Sequence, residues 1–116
     1  MDITQEKVGG VVAAVLKGRV DAGTSKAVED ALLKLIDGGE RRLVVDLAAV
    51  DYISSVGLRV LIVAARRLKP LQGTVAVCSL QPAIKQIFEI AGFTAIFKIY
   101  ATRGEAFAAL EGHAAV

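Results

Sequence analysis

Two adjacent serines carry the most chemical promise in this chain. They lie in Val50–Asp51–Tyr52–Ile53–Ser54–Ser55–Val56–Gly57–Leu58, between a strand-like stretch and an apolar helical one. A hydroxyl at such a junction has two uses. It can cap the free N–H groups of the first helical turn. It can also accept a phosphoryl group, which adds about −1.5 to −2 charges and strong acceptor oxygens. The positive end of the helix dipole favours such an anion. The residue types leave both uses open. Three neighbours belong to the same question. Gly57 permits close helix packing or the approach of a docked partner. Arg59, one turn into the helix, can meet a phosphate or a partner carboxylate, or simply face solvent. Asp21 is a turn or capping acid, or a polar contact on the same rim as Ser55 if both follow parallel strand ends.

Catalytic equipment is sparse. The chain has one His and one Cys, which excludes a disulfide framework and any standard Cys/His zinc site. A Ser–His–Asp arrangement would rest on His113, close to the end of the chain. Ser54–Ser55–Val56–Gly57 is not a G-x-S-x-G elbow. Gly9–Gly10 and Gly38–Gly39 lack the spacing of a phosphate loop or a dinucleotide fingerprint. Asp46 and Asp51 do not define a metal pair. Cys78 ends an apolar run and reads as a small buried hydrophobe. The expectation is therefore no enzyme, no cofactor and no metal.

The elements that must position these residues fit one domain. The chain has 116 residues, 54% of them hydrophobic and 22% charged, so a packed core is expected over the whole of 1–116, with a flexible tail from about 112. Fourteen basic residues face twelve acidic ones, a formal +2. Arg41–Arg42 and Arg66–Arg67–Lys69 are the densest basic groups, and no aromatics interleave them. Direct nucleic-acid binding is not expected. Asp2 and Glu6 stand where a signal peptide would be basic, and no apolar run reaches the ~18 residues of a membrane span. A soluble cytoplasmic protein is the expectation.

Gly9–Gly10 separates an opening strand from Val11–Leu16 and predicts a hairpin, within a three-strand-like start. Thr24 or Ser25 is placed to cap a first helix, whose stripe is Val28, Ala31, Leu32, Leu35 and Ile36, with Gly38 as a left-handed stop. Leu43–Val45 reads as a short buried parallel strand ending at Asp46–Leu47. Leu58, Leu61, Ala65 and Leu68 align on a second helix that closes before Pro70. Thr74–Cys78 is a strand, and Pro82 opens a third helix that Gly92 stops. Ala95–Tyr100 is a last strand, and Thr102 with Glu105 forms a capping box for a final helix through Leu110. This alternation predicts an α/β fold, a small mixed sheet of four or five strands with helices packed mainly on one side.

With these elements in order, the chain resembles a STAS domain, the module shared by sulfate transporters and bacterial anti-sigma factor antagonists. Three segments carry the resemblance: Leu16–Asp21, Val44–Leu61 and Leu80–Phe93. It spans about Ile3 to Leu110. The lack of a transporter segment points to the freestanding class. The resemblance implies an anti-sigma factor antagonist that works by partner switching. Unphosphorylated, such a protein binds an anti-sigma factor that is also a GHKL-type serine kinase, and the sigma factor is released. The kinase then phosphorylates it, and a PP2C-type phosphatase resets it. The ATP belongs to the kinase. The family's motif is Asp-Ser-Ser/Thr-Gly-Leu, and its Gly-Leu register places the phosphoacceptor on Ser55. Ser54 occupies the usual Asp place and Val56 that of the second hydroxyl. Asp21, Ser54, Ser55, Val56, Gly57 and Arg59 are the expected partner-facing residues. The alternative is a STAS-type scaffold that regulates a signalling, secretion or transport complex rather than transcription.

Overall fold

The chain opens on a β-hairpin whose turn demands glycine twice. In the computed structural model, which describes residues 1–111, β1 (Asp2–Val8) and β2 (Val11–Val20) pair antiparallel, with Val8 opposite Val11. Gly9 and Gly10 form the two-residue link at φ +57° and +81°. Positive φ at both positions is the turn whose twist matches flanking strands, and side chains disfavour it. The start has two strands, not three.

From β2 onward each strand is followed by a helix. The elements are α1 (Ser25–Asp37), β3 (Arg42–Ile53), α2 (Ser55–Leu68), β4 (Thr74–Cys78), α3 (Pro82–Ile90), β5 (Lys98–Tyr100) and α4 (Arg103–Glu111). Single 3₁₀ turns cover Lys69–Leu71 and Phe93–Ala95. The sheet order is β1-β2-β3-β4-β5, antiparallel at the hairpin and parallel elsewhere. Helices following parallel strands must pack back onto the sheet, so its central strands are apolar on both faces.

The two faces are unequal. Val12, Ala14, Leu43, Val45, Val75 and Val77 point to the core under α1, α2 and α3. Val11, Ala13, Val44, Ala76 and Cys78 point to the other side, where α4 covers them with Ala106, Phe107 and Leu110. α1 buries Val28, Leu32 and Ile36, and α2 buries Leu58, Leu61, Ala64 and Leu68. Each fully buried aliphatic side chain contributes about 1.5–3 kcal/mol relative to exposure. Asp46 is a buried carboxylate on the α4 side. It accepts from Arg103 Nε at 2.6 Å and from the Ala48 N–H at 2.9 Å, and Arg103 also reaches Glu6 at 3.0 Å.

Several elements depart from expectation. β3 runs to Ile53 instead of stopping near Leu47. Its pairing with β2 shifts between Val15 and Lys17 and again between Gly18 and Arg19. Each shift inserts an extra β3 residue, so Leu47, Val50 and Ile53 all face the core at a spacing of three. That period hides a strand from an alternation rule. Gly38 sits at φ −78°, and the left-handed residue after α1 is Gly39 at φ +113°. Neither Thr24 nor Ser25 caps α1 through its side chain. Thr24 Oγ1 turns back, accepting from the Asp21 N–H (3.0 Å) and donating to the Arg19 carbonyl (2.7 Å).

Strand β5 is shorter than Ala95–Tyr100. Phe93 and Phe97 are drawn onto Phe88, with ring centroids 5.6 Å and 6.5 Å from it, and this winds 93–95 into a turn. The capping box at α4 is displaced by one residue. The Glu105 N–H donates to Thr102 Oγ1, but the Glu105 carboxylate accepts from Ala101 rather than Thr102. The expected tail from about Gly112, with His113, lies outside the described residues.

Candidate functional site

The parallel register brings the ends of β2 and β3 side by side. Val20 pairs with Ile53, and the Ser54 N–H donates to the Val20 carbonyl at 2.8 Å. Asp21 and Ser54 therefore follow adjacent strand ends on one rim, the edge of a parallel sheet where ligands commonly bind.

The structure separates the two serines. Ser54 is the N-cap of α2, extended at φ −90° and ψ 172°, and its Oγ accepts from the Gly57 N–H at 3.2 Å. Its carbonyl takes the Leu58 N–H at 2.9 Å. Ser55 is the first helical residue. It is exposed, and its hydroxyl makes no hydrogen bond among the described residues. No base among the described residues is hydrogen-bonded to it. It can receive a group from another protein's catalytic machinery. The N–H groups of Ser55 and Val56 are left free by the cap, beside any charge placed there.

Gly57 allows this geometry. A Cβ at that position would lie 2.6 Å from Val20 Cγ1, 2.9 Å from Ile53 Cγ1 and 3.1 Å from the Val20 carbonyl oxygen. The first turn of α2 thus rests directly on the strand ends. Val56 points outward, 40% exposed, over a shallow depression of ≈ 260 Å³ shared with the start of α1. Arg59 borders that depression and a second one on the opposite flank of α2. It forms no ion pair among the described residues.

Asp21 has a structural task of its own. Its Oδ1 accepts from the Gly23 N–H at 3.0 Å and lies 3.3 Å from Thr24 Oγ1, and Arg19 Nε stands 3.6 Å from Oδ2. Loss of hydration pushes its pKa up. The Gly23 and Thr24 hydrogen bonds and the Arg19 charge outweigh that and hold it below the usual carboxylate value.

Sequence reasoning missed other members of the rim. Arg19 lies 4.2 Å over the half-exposed ring of Tyr52, its strand-pair partner, a contact worth about 0.5–1 kcal/mol at an exposed site. Ile62, Arg66 and Phe93 join Ser55 and Arg59 around the second depression, of ≈ 400 Å³. The helical spacing of 55, 59, 62 and 66 was a usable signal for that face. Nothing local pointed to Phe93.

Other candidate chemistry is occupied. Burial pushes the Cys78 thiol up to about 11, so it carries no thiolate near neutral pH. Asp46 is committed to Arg103 and Ala48. Among the described residues no three His, Cys, Asp or Glu side chains could hold a metal together, and no helix is long and apolar enough to cross a membrane.

Known proteins share this fold. The STAS domain family model matches residues 2–106. A Bordetella bronchiseptica protein that carries the name anti-sigma factor antagonist BtrV is 40% identical over 111 residues, covering 96% of each chain. The crystal structure of an anti-sigma factor antagonist from Mycobacterium paratuberculosis superposes with a TM-score of 0.86 at 28% identity, over 94% of this chain and 92% of that one. The Bacillus cell fate determinant SpoIIAA in its phosphorylated form shares the fold, with a TM-score of 0.73 at 17% identity over 92% and 97% of the two chains. The shared fold, the relative 40% identical along nearly the whole chain and the family match over residues 2–106 agree: the protein belongs to the STAS domain family.

Proposed function

We propose that the chain is an anti-sigma factor antagonist whose binding is switched by phosphorylation of Ser55. The observation that carries this is the division of labour between the serines: Ser54 holds the cap, while the exposed Ser55 hydroxyl makes no hydrogen bond among the described residues. The names of the relatives support the class of partner, and the phosphorylated form of SpoIIAA supports the kind of switch.

In this reading the unphosphorylated protein binds an anti-sigma factor and frees the sigma factor. Ser55, Val56 and Arg59 face that partner, with Ser54 and Asp21 on the adjoining rim; Gly57, expected to face it too, is buried against Val20 and Ile53 and acts only by seating the helix. The partner is a GHKL-type serine kinase that supplies ATP, and a PP2C-type phosphatase reverses the modification. This chain acts by binding and not by catalysis, in the cytoplasm. The surface is small and partly apolar, with Val56 at its edge. A neutral hydroxyl can be covered there at little cost. A phosphate dianion cannot be stripped of water unless the partner provides matched cations.

The test is phosphorylation by the cognate kinase with ATP, mapped by mass spectrometry. Phosphate is expected on Ser55, and Ser55→Ala should abolish it. Ser55→Asp should weaken binding to the unmodified protein's partner in calorimetry. Phosphate found on Ser54 instead, or undiminished affinity of Ser55→Asp, would refute the proposal.

A further inference from the structure

One stripe of α2 continues well beyond the phosphoacceptor. Ser55, Arg59, Ile62, Arg66 and Lys69 follow one another at steps of four, three, four and three, which stacks them along one side of the helix. The stripe is about 21 Å long at 1.5 Å per residue. Beside it run two depressions that share Ile62 and Arg66, of ≈ 400 and ≈ 500 Å³. Together they form one groove, and Ile96, 54% exposed, stands on its far wall. The Phe88–Phe93–Phe97 cluster fixes that wall in place.

The groove's charge is one-sided. Among the described residues no carboxylate lines either depression. Arg59, Arg66 and Lys69 form no ion pair among the described residues, whereas neighbouring Arg67 is paired with Asp37 at 2.7 Å. Unneutralised cations beside an exposed apolar strip match a helix with acidic flanks and an apolar ridge, read at i, i+3, i+4 and i+7 spacing. Charge of one sign along a groove also steers such a partner into place.

We propose that this groove docks an acidic amphipathic helix of the partner protein whose binding Ser55 controls. This rests on the reading of Ser55 as a partner-facing switch. The groove starts at Ser55, so the helix would lie with one end against the switch and the rest along Ile62, Arg66 and Lys69. Nothing buried changes when the two exposed cations are reversed, so Arg66→Glu/Lys69→Glu keeps the fold.

The experiment measures association of the cognate anti-sigma factor kinase with four proteins at low and high salt. These are the wild type, Ser55→Asp, Arg66→Glu/Lys69→Glu, and a charge-matched control, Lys34→Glu/Lys17→Glu, outside the groove. The groove variant should lose roughly tenfold in association rate at low salt and most of its salt dependence, with the control near wild type. If Ser55→Asp loses binding while the groove variant keeps the wild-type rate, the groove is overturned and the switch stands. If the wild type does not bind the kinase, the functional reading falls. The groove is then tested by NMR titration with a synthetic helix of Leu at i, i+3, i+4 and i+7 and Glu elsewhere. Shifts at Ile62, Arg66 and Ile96 that vanish in the groove variant uphold it, and unmoved resonances there overturn it.

Discussion

Substituting the two serines one at a time should separate a stabilising hydroxyl from a regulatory one. In Ser54→Ala the Gly57 N–H loses its acceptor. That bond is 3.2 Å long, at the far end of the normal range, which argues for a modest loss. Gly57 is buried, however, and packed against Val20 and Ile53, so water cannot easily replace the hydroxyl. Loss of a serine cap costs about 0.5–2 kcal/mol, and a stranded buried donor about 1–3 kcal/mol. The two considerations meet near 1–1.5 kcal/mol. For a chain of this size that is a fall in Tm of about 3–8 °C and in urea midpoint of about 0.5–1 M.

Ser55→Ala should behave differently. Its side chain is exposed and makes no hydrogen bond among the described residues, and Ala is the better helix former, so stability should stay within about 0.5 kcal/mol. Ser54→Asp should recover the cap and add about 0.3–1 kcal/mol from a carboxylate at the positive end of α2. Urea and thermal denaturation of the four proteins provide the comparison, followed by kinase labelling. Ser54→Ala should still be phosphorylated and Ser55→Ala should not. The reasoning fails if Ser55→Ala is the more destabilised variant, or if Ser54→Ala unfolds like the wild type.

Three further outcomes follow from the same contacts. Gly57→Ala forces a methyl to within 2.6 Å of Val20 Cγ1; it should cost about 1–3 kcal/mol by overpacking, and a urea midpoint equal to wild type would contradict the contact. Arg103→Leu leaves Asp46, whose side chain is 3% exposed, without its cation. Because the Ala48 N–H remains and Arg103 is itself partly exposed, the expected loss is about 2–4 kcal/mol, read by chemical denaturation. Asp21 has a folded pKa below its unfolded value. Its contribution is therefore present above the unfolded pKa of about 3.9 and disappears as pH falls through the lower folded value. Asp21→Asn, which can still accept from Gly23, should show a shallower loss of stability below about pH 4 than the wild type; parallel curves would show that the carboxylate's charge contributes nothing there.

Local signals predicted what local forces build. Gly9–Gly10 marks a turn because both positions need positive φ. Thr74–Cys78 is bounded as expected because a β-branched run is hemmed in by Gly73 and a turn at Ser79. The α2 stripe follows from 3.6-residue periodicity. Long-range pairing was not legible. The bulges of β3 arise from its register with β2, and they replace the alternation that would have revealed the strand. Asp46 and Arg103 are 57 residues apart, and only the docking of α4 joins them. Ser54 and Ser55 were equivalent as residue types. The resemblance chose Ser55, and the hydrogen-bond geometry distinguishes the two: Ser54 Oγ accepts from the Gly57 N–H, and the Ser55 hydroxyl makes no hydrogen bond among the described residues.

The arrangement suits the proposed switch, which would leave the fold alone. Ser55, the proposed phosphoacceptor, lies on the first turn of a helix whose core contacts begin with Gly57 and Leu58. Its hydroxyl makes no hydrogen bond among the described residues that a phosphate would break. The free N–H groups beside it favour an anion, and Arg59, one turn along the same stripe, forms no ion pair among the described residues. Both effects would stabilise a phosphorylated Ser55 by itself. By partly neutralising the phosphate they would also lower the cost of covering it, so the proposed switch draws on the charge they leave uncompensated. In that switch the free energy separating the two forms would lie at the interface and not in the core. It is a difference in the cost of desolvating one rim, which a small and rigid domain can present without any conformational change.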